Sequence, residues 1–151
     1  MSQTLTLDDI AYCGLNCRLC HLTTILPDAA AELRQIMQND GWERFGGMVF
    51  PEFAAFWKTL AALAAYRETC TLCKGGCGNP DCQLRLCAQE RGLKLCAECP
   101  DYPCQPLKDF YTGHYERLAV NNERIREIGS AAFLEEQQKL VDQGLCFRDL
   151  I

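Results

Sequence analysis

The sequence lacks a long apolar segment and a leader that would carry the chain across a membrane. The first residues, MSQTLTLDDIAYCG, contain neither a basic stretch nor an apolar run, so we expect no signal peptide. The longest apolar stretch, FAAFWKTLAALAAY, is interrupted by Lys58 and is shorter than the roughly 20 residues that a membrane-spanning helix requires. These absences predict a cytoplasmic protein with no membrane partner.

The chain also lacks any run of lysine and arginine. Its 15 basic and 20 acidic residues give a formal net charge of −5. Each four-thiolate zinc site would add a net charge of about −2, so two such sites would bring the protein to about −9. Phosphate backbones would be repelled, which argues against a nucleic-acid partner and leaves an unknown protein or small molecule as the expected one.

Motifs of the common enzyme classes are missing as well. We find no Ser–His–Asp set, no phosphate-binding glycine loop and no H-E-x-x-H helix. The adjacent carboxylates of Glu135 and Glu136 would face different sides of a helix and are typical of a solvated surface. The sequence therefore favours a non-catalytic role.

Neither strand-like alternation nor an internal repeat is present, and 151 residues are typical of one domain. We expect a mainly α protein that forms a single domain over residues 1–151. Asp28 is predicted to cap a helix that ends near Gly41. Pro51 is predicted to open the next helix, whose apolar stripe from Phe53 to Arg67 would face the core.

Other segments are assigned from glycine and proline. GWERFGGMVF is expected to form a short turn of helix or a loop, because Gly46 and Gly47 disfavour a regular element. A short helix is expected in DCQLRLCAQERG, between Pro80 and Gly92. Two further helices are expected in HYERLAVNNERIREIG and, after Ser130, in SAAFLEEQQKLVDQG.

Cysteine is what the sequence has in excess: twelve residues, eight of them between positions 70 and 104. Cytosolic thiols are kept reduced, so a dense cysteine pattern indicates metal binding more than disulfide bonds. The C-x-x-C pairs recur as zinc half-sites, and the glycines and proline of KGG and GNPD suit sharp turns. We therefore predict a metal-binding knuckle region at residues 70–104. The predicted metal ligands are Cys13, Cys17, Cys20, Cys70, Cys73, Cys77, Cys82, Cys87, Cys96, Cys99, Cys104 and Cys146.

The eight cysteines of the knuckle region suffice for two four-coordinate zinc sites, but the spacing leaves their pairing open. Cys82 and Cys87 would be separated by about 140° around the axis of one short helix. We therefore expect them to join different groups.

The N-terminal group CGLNCRLC has the C-x-x-x-C-x-x-C spacing that holds a four-iron cluster in radical S-adenosylmethionine enzymes. Leu19 stands where those enzymes usually have an aromatic residue, and a short helical chain leaves no room for their barrel. The alternative is a third metal site that is closed by Cys146, His21 or His114. As non-ligands, His21 would hydrogen-bond its own loop and His114 would lie at the surface.

Zinc is therefore the leading cofactor prediction, and a metal-stabilised binding or adaptor module is the leading function. The alternative is an iron–sulfur protein, either an electron carrier or an enzyme that uses CGLNCRLC. A weaker alternative is a metal-buffering or thiol-redox protein.

The motifs YCGLNCRLC and GLKLCAECPDYPC, in this order, resemble those of domain-of-unknown-function family 3795, small cysteine-rich prokaryotic proteins, over about residues 10–145. The resemblance implies a cytosolic, metal-binding protein with no established reaction. Its recurrent cysteines correspond to Cys13, Cys17, Cys20, Cys77, Cys82, Cys87, Cys96, Cys99 and Cys104, while Cys70 and Cys73 are less regular. Similar proteins often end in a further cysteine pair, where this chain has Cys146 alone.

Overall fold

The fold was analysed in a computed structural model that describes residues 4–111 and 116–150. Within these residues the chain forms seven α-helices and no β-strand, which confirms the mainly α prediction. The helices are α1 (Ile25–Asn39), α2 (Trp42–Val49), α3 (Phe53–Ala64), α4 (Tyr66–Thr69), α5 (Gln83–Glu90), α6 (Gln105–Tyr111) and α7 (Glu116–Asp142). Short 3-10 turns lie at Leu7–Asp9, Cys17–Leu19, Cys96–Glu98 and Phe147–Leu150.

The chain divides into two compact units, each made of two stretches. The first, here called the cysteine unit, comprises Met1–Arg18 and Thr71–Leu145; the second, the helical unit, comprises Leu19–Cys70 and Cys146–Ile151. The single domain over residues 1–151 stays a prediction. No helix in the described ranges combines the length and the apolar character needed to cross a bilayer.

The first helix of the helical unit begins earlier than the sequence indicated. α1 starts at Ile25, so the prediction that Asp28 caps it is wrong. Pro27 is tolerated in the first turn because the first four N–H groups of a helix have no intrahelical partner. Asp28 instead accepts a hydrogen bond of 2.9 Å from Arg67. The helix ends near Gly41, as predicted.

Within GWERFGGMVF, Trp42–Val49 form α2, so the helical alternative is the right one and the expectation that the glycines prevent a regular element is wrong. A Cβ atom on Gly46 would lie 2.6 Å from the ring of Phe53, whereas one on Gly47 would meet nothing within 4 Å. Gly46 therefore allows an aromatic ring from α3 to pack directly on the backbone of α2. This contact accounts for a glycine at position 46, although glycine costs a helix about 1 kcal/mol relative to alanine.

The apolar stripe of α3 is only partly buried. The helix starts at Phe53, two residues after Pro51. Phe53 and Leu60 are buried, as the predicted stripe requires, but Phe56 is 42% exposed. Arg67 lies beyond α3, in the short helix α4.

In the cysteine unit, α5 confirms the short helix predicted between Pro80 and Gly92. α6 was not predicted; it follows Cys104 directly and carries Pro106 in its first turn, where proline is tolerated. The start of the helix predicted in HYERLAVNNERIREIG lies in part outside the described residues.

The last helix, α7, is interrupted at Gly129, where the two predicted helices meet. Gly129 has φ 80° and ψ 159°, a conformation open essentially to glycine alone. Arg124 Nε donates to Glu136 Oε2 at 3.0 Å. Residues twelve positions apart would be separated by about 18 Å along a straight helix, so the chain bends sharply at Gly129.

The interior of the cysteine unit contains two clusters of buried side chains. The first consists of Ile10, Leu95, Ala97, Ile125 and Phe133. The second consists of Ala11, Cys13, Leu84, Leu107 and Leu118, with Leu15, Cys17, Cys73, Cys82, Cys96, Tyr102 and Cys104 packed against it. Six of the predicted metal ligands therefore belong to the second cluster.

Candidate metal centres in the cysteine unit

Two asparagines of α7 hold the loop that carries the first cysteines. Asn121 Nδ2 donates to the Gly14 carbonyl at 2.9 Å, and Asn122 Nδ2 donates to the Cys13 carbonyl at 2.7 Å. Gly14 has φ 89°, and a Cβ there would lie 2.9 Å from Asn122 Nδ2. Sequence reasoning missed this contact. The available signal was a pair of asparagines inside a helix, where their propensity is low.

The same N-terminal segment is fixed by a buried carboxylate. Asp9 Oδ2 accepts from the Thr6 backbone N–H at 2.8 Å, and Asp9 Oδ1 accepts from Arg18 Nε at 2.6 Å. Burial alone would raise the pKa of Asp9, but the hydrogen bonds from Thr6 and Arg18 outweigh it and leave this pKa lowered. Asp9 is therefore ionised at neutral pH and closes the turn at the start of the unit.

The loop between Cys73 and Asn79 wraps around the guanidinium of Arg85. Nη1 donates to the Cys73 carbonyl at 3.1 Å and to the Cys77 carbonyl at 2.8 Å, and Nη2 donates to the Asn79 carbonyl. Arg85 is only 5% exposed. Burial of Arg85 was not predicted, because arginine on a short helix usually lies at the surface.

The glycine turn in this loop has the tight geometry that the sequence indicated. A Cβ on Gly75 would lie 2.1 Å from the Thr71 carbonyl oxygen, so only glycine fits without a shift of the backbone. Thr71 Oγ1 donates to the Gly75 carbonyl at 2.9 Å and closes the turn.

Four cysteines of the second cluster are here called the central thiol group: the buried Cys13 and the partly buried Cys17, Cys73 and Cys82. Cys13 lies close enough to both Cys73 and Cys82 for their charges to interact. Burial raises the pKa of Cys13 to about 12, although the backbone N–H of Leu15 hydrogen-bonds its sulfur. Without a bound cation, this thiol is therefore protonated at neutral pH.

The backbone of Tyr12 contacts two of these thiol-bearing residues. Its N–H donates to the Cys73 sulfur, and its carbonyl accepts from the Cys96 N–H at 2.6 Å. Burial raises the pKa of Cys73, and the Tyr12 hydrogen bond and the nearby Arg85 offset part of this rise.

A second set, the cavity thiol group, consists of Cys87, Cys96, Cys99 and Cys104. These four residues line one cavity of about 30 Å³ together with apolar side chains. A volume of this size holds about one water molecule. Burial raises the pKa of Cys96 to about 12, and the neighbouring Cys104, Cys87 and Cys99 add to the rise.

Two arginines hold the loop around the cavity thiol group. Arg91 Nη1 lies 3.3 Å from the Cys99 sulfur and 2.6 Å from Asp101 Oδ2. Arg126, from α7, donates to the Ala97 carbonyl at 2.7 Å. The 3-10 turn that carries Cys96 and Cys99 is therefore held from two sides.

Cys87 lines the cavity and Cys82 does not, while the expectation that they bind different ions stays a prediction. Among the described residues, however, no three histidine, cysteine, aspartate or glutamate side chains are already arranged as a coordination sphere. The same residues contain no disulfide bond. The ligand roles of the twelve cysteines therefore remain predictions. Cys77 is partly buried, and His114 lies outside the described residues.

The helical unit contains the other three cysteines, Cys20, Cys70 and Cys146, of which Cys146 is fully buried. The ring of His21 lies edge-on to Phe147, with 6.3 Å between centroids. The Nε2 atom of His21 is buried without a hydrogen-bond partner. The carbonyl of His21, however, accepts from the Leu26 N–H at 2.9 Å, so the residue does hydrogen-bond its own loop, as predicted.

A larger, open groove of about 620 Å³ lies beside the bend of α7. Its lining includes Arg124, which pairs with Glu127 at 2.8 Å and with Glu136. The positive charge in this groove is therefore compensated within the helix.

Residues 9–109, more than half of the chain, match a family model described as "Protein of unknown function (DUF3795)". The match includes every cysteine except Cys146, and it confirms the resemblance found from the motifs. No curated protein and no solved structure matches the chain.

Proposed function

The chain belongs to the DUF3795 family, and from its own residues we propose that it is a cytoplasmic, metal-stabilised binding module that holds zinc through cysteine thiolates. The observation that carries the proposal is that four cysteines of the cavity thiol group line one small cavity. The partner of the module is expected to be a protein or a small molecule.

The donor set suits zinc. Zn²⁺ takes four ligands in a tetrahedron and favours cysteine sulfur in structural sites. On binding, each thiol would lose its proton to solvent as a Zn–S bond forms, which leaves a site with a net charge of −2. The N–H of Arg91 beside the Cys99 sulfur would favour the thiolate form, as outer hydrogen bonds do at metal sites.

The size of the cavity favours a single ion. About 30 Å³ is close to the space of one water molecule, whereas a cluster of four irons and four sulfides would need the loop to open. Bringing four sulfur atoms to about 2.3 Å from one ion requires the side chains to rotate between staggered rotamers. A site closed by four thiolates has no coordination position for water or substrate, so its role would be to stabilise the fold.

The test is elemental analysis of the full-length protein purified without oxygen, with zinc, iron and acid-labile sulfide counted per chain. We expect a colourless protein that contains zinc. Cys104→Ser should lower the zinc content by one ion per chain. Glu90→Gln is the control, because Glu90 is exposed on α5 and does not line the cavity, and it should keep the full content. A brown protein with iron and sulfide, or full zinc in Cys104→Ser, would contradict the proposal.

A further inference from the structure

Arg85 presents an unusual charge inside the cysteine unit. Its side chain is 5% exposed, and the hydrogen bonds of its guanidinium go to three uncharged carbonyl groups and to the Cys73 thiol. Among the described residues it has no carboxylate partner. Buried charges in proteins are normally paired with an opposite charge. The nearest group that could supply one is the sulfur of Cys73.

A second cation, Lys74, interacts with the same cysteine. Lys74 Nζ donates to the Leu7 carbonyl and lies 5.4 Å from the centre of the Tyr12 ring. Its charge interacts with Cys73 and Cys17, and also with Asp8 and Glu98. The two carboxylates compensate part of the charge of Lys74. Arg85 has no carboxylate partner in the described part of the chain, so compensation of its charge depends on the thiols.

The thiols around these cations come from two distant parts of the sequence. Cys13 and Cys17 belong to the N-terminal segment, whereas Cys73 and Cys82 flank the loop that wraps Arg85. Backbone N–H groups of Leu15 and Tyr12 hydrogen-bond the Cys13 and Cys73 sulfurs. Hydrogen bonds of this kind are stronger to an anionic sulfur than to a neutral thiol.

We propose that Cys13, Cys17, Cys73 and Cys82 hold a second zinc ion and that Arg85 is the fixed counter-cation of this site. Four S–H groups release their protons to solvent, four Zn–S bonds form, and the site acquires a net charge of −2. Arg85 then has the anionic partner that it lacks among carboxylates. The second site rests on the proposed function in using zinc and thiolate ligands, but it shares no ligand with the site proposed in the cavity.

Cys96 is the residue at which the two groups meet. It interacts with Cys82 and Cys13, but also with Cys104, Cys87 and Cys99. It is assigned to the cavity because those last three cysteines line the cavity with it. Cys17 then completes the second set.

The first test counts zinc in full-length variants. We expect two ions per wild-type chain, one in Cys73→Ser, one in Cys104→Ser, none in the double variant, and two in the control Glu90→Gln. One wild-type ion that is lost in Cys104→Ser and kept in Cys73→Ser would overturn the second site and leave the first intact. An ion lost only in Cys73→Ser would support the second site while removing the first. Full retention in Cys73→Ser would overturn the inference.

The second test addresses Arg85 in the Cys104→Ser background, where only the second ion remains. Arg85→Gln should weaken zinc retention against a competing chelator by about 10- to 100-fold, the usual effect of removing an outer-sphere partner. Arg85→Lys keeps the charge and should recover part of the affinity. If Arg85→Gln does not fold, the zinc content of Arg85→Lys can be measured in the otherwise wild-type chain, where two ions per chain are expected.

The matched control for the second test is Arg91→Gln, since Arg91 contacts Cys99 and not the second site. It should leave zinc retention in the Cys104→Ser background unchanged. Wild-type retention in Arg85→Gln, or an equal loss in Arg91→Gln, would overturn the counter-cation role.

Discussion

The two units of this chain build their interiors in different ways. In the helical unit, buried side chains such as Phe53 and Leu60 recur at helical spacing, and the Phe53 ring stacks on Trp57 at 5.5 Å. In the cysteine unit, the interior also contains polar residues such as Asn122 and Arg85, together with thiols. The first kind of interior follows from local periodicity, whereas the second depends on contacts between distant segments.

This difference predicts different sources of stability. Burying an apolar side chain contributes about 1.5–3 kcal/mol, with no requirement for a partner of special chemistry. Thiols that must ionise to bind metal contribute little until a cation is present, and the metal then supplies folding free energy. The cysteine unit should therefore respond to metal, and the helical unit should respond to its aromatic packing.

The largest effect is expected from removing the metal. Structural zinc contributes about 10–16 kcal/mol in zinc-finger peptides, comparable to the whole stability of a domain. Treatment with a strong chelator should therefore abolish hydrogen-exchange protection of the amides in α5 and in residues 96–104. Amides in α1 and α3 should keep most of theirs, as measured by mass spectrometry.

The control for metal removal is the same sample with zinc restored, which should regain protection in the cysteine unit. Equal loss of protection in α1 and α3 would break the comparison between the two units. Unchanged protection in α5 would contradict the metal dependence.

Truncation of Phe53 tests the helical unit. Phe53→Ala should lower the free energy of unfolding by about 3–5 kcal/mol, because a buried ring is lost and a cavity remains. Phe56→Ala, at an exposed position of the same helix, should cost far less. Denaturant unfolding gives both values, and the zinc content of both variants should match the wild type. A zinc loss in Phe53→Ala would show that the two interiors are not separable.

Asp9 tests the part of the cysteine unit that does not depend on thiols. Asp9→Asn should cost about 1.5–3 kcal/mol, since hydrogen bonds to a buried charged group are lost. The lowered pKa of Asp9 means that its contribution is complete above the unfolded value of 3.8 and is lost as pH falls through the folded value. Urea unfolding at neutral and acid pH should therefore show a smaller acid loss in Asp9→Asn.

Asp8→Asn is the matched control for Asp9, because Asp8 is an exposed neighbour. Its effect at neutral pH should stay within about 0.5 kcal/mol. If both substitutions lowered the free energy of unfolding equally, the net charge of the turn would be responsible and not the hydrogen bonds of Asp9.

The smallest effects are expected at the two glycines of α2. Gly46→Ala would place a Cβ against the Phe53 ring and should cost about 1–3 kcal/mol by overpacking. Gly47→Ala meets open space and should stabilise the helix by up to about 1 kcal/mol. Thermal unfolding would check both. If both substitutions stabilised the protein, the Phe53 ring would pack on α2 equally well without a glycine at position 46.

Local signals predicted much of the fold. Glycine and proline delimit α5, and Gly129 marks the point at which α7 bends. The sequence left α2 undecided between a helical turn and a loop because its two glycines disfavour a helix locally. The Phe53 ring, which lies outside the segment, accounts for Gly46. The early start of α1 was missed because Asp28 is an equally good residue for a cap and for a first turn.

The candidate site was predictable in residue type but not in grouping. Cysteine spacing indicates half-sites, yet it cannot show that Cys13 lies beside Cys73, because the segments between them decide how the chain returns. Asn122 and Arg85 were missed for the same reason. Asn122 donates to a carbonyl group that is distant in the sequence, and Arg85 donates to a loop whose path is set by tertiary structure.

The backbone of Tyr12 gives the two thiol groups a common element, since its N–H meets the Cys73 sulfur and its carbonyl meets the Cys96 amide. The first ion to bind would order the backbone of Tyr12, so the second ion would bind without that loss of conformational entropy. Each ion would therefore raise the affinity of the protein for the other, and uptake would be cooperative. A zinc titration would then rise more steeply than two independent sites allow, with few singly loaded molecules at half saturation.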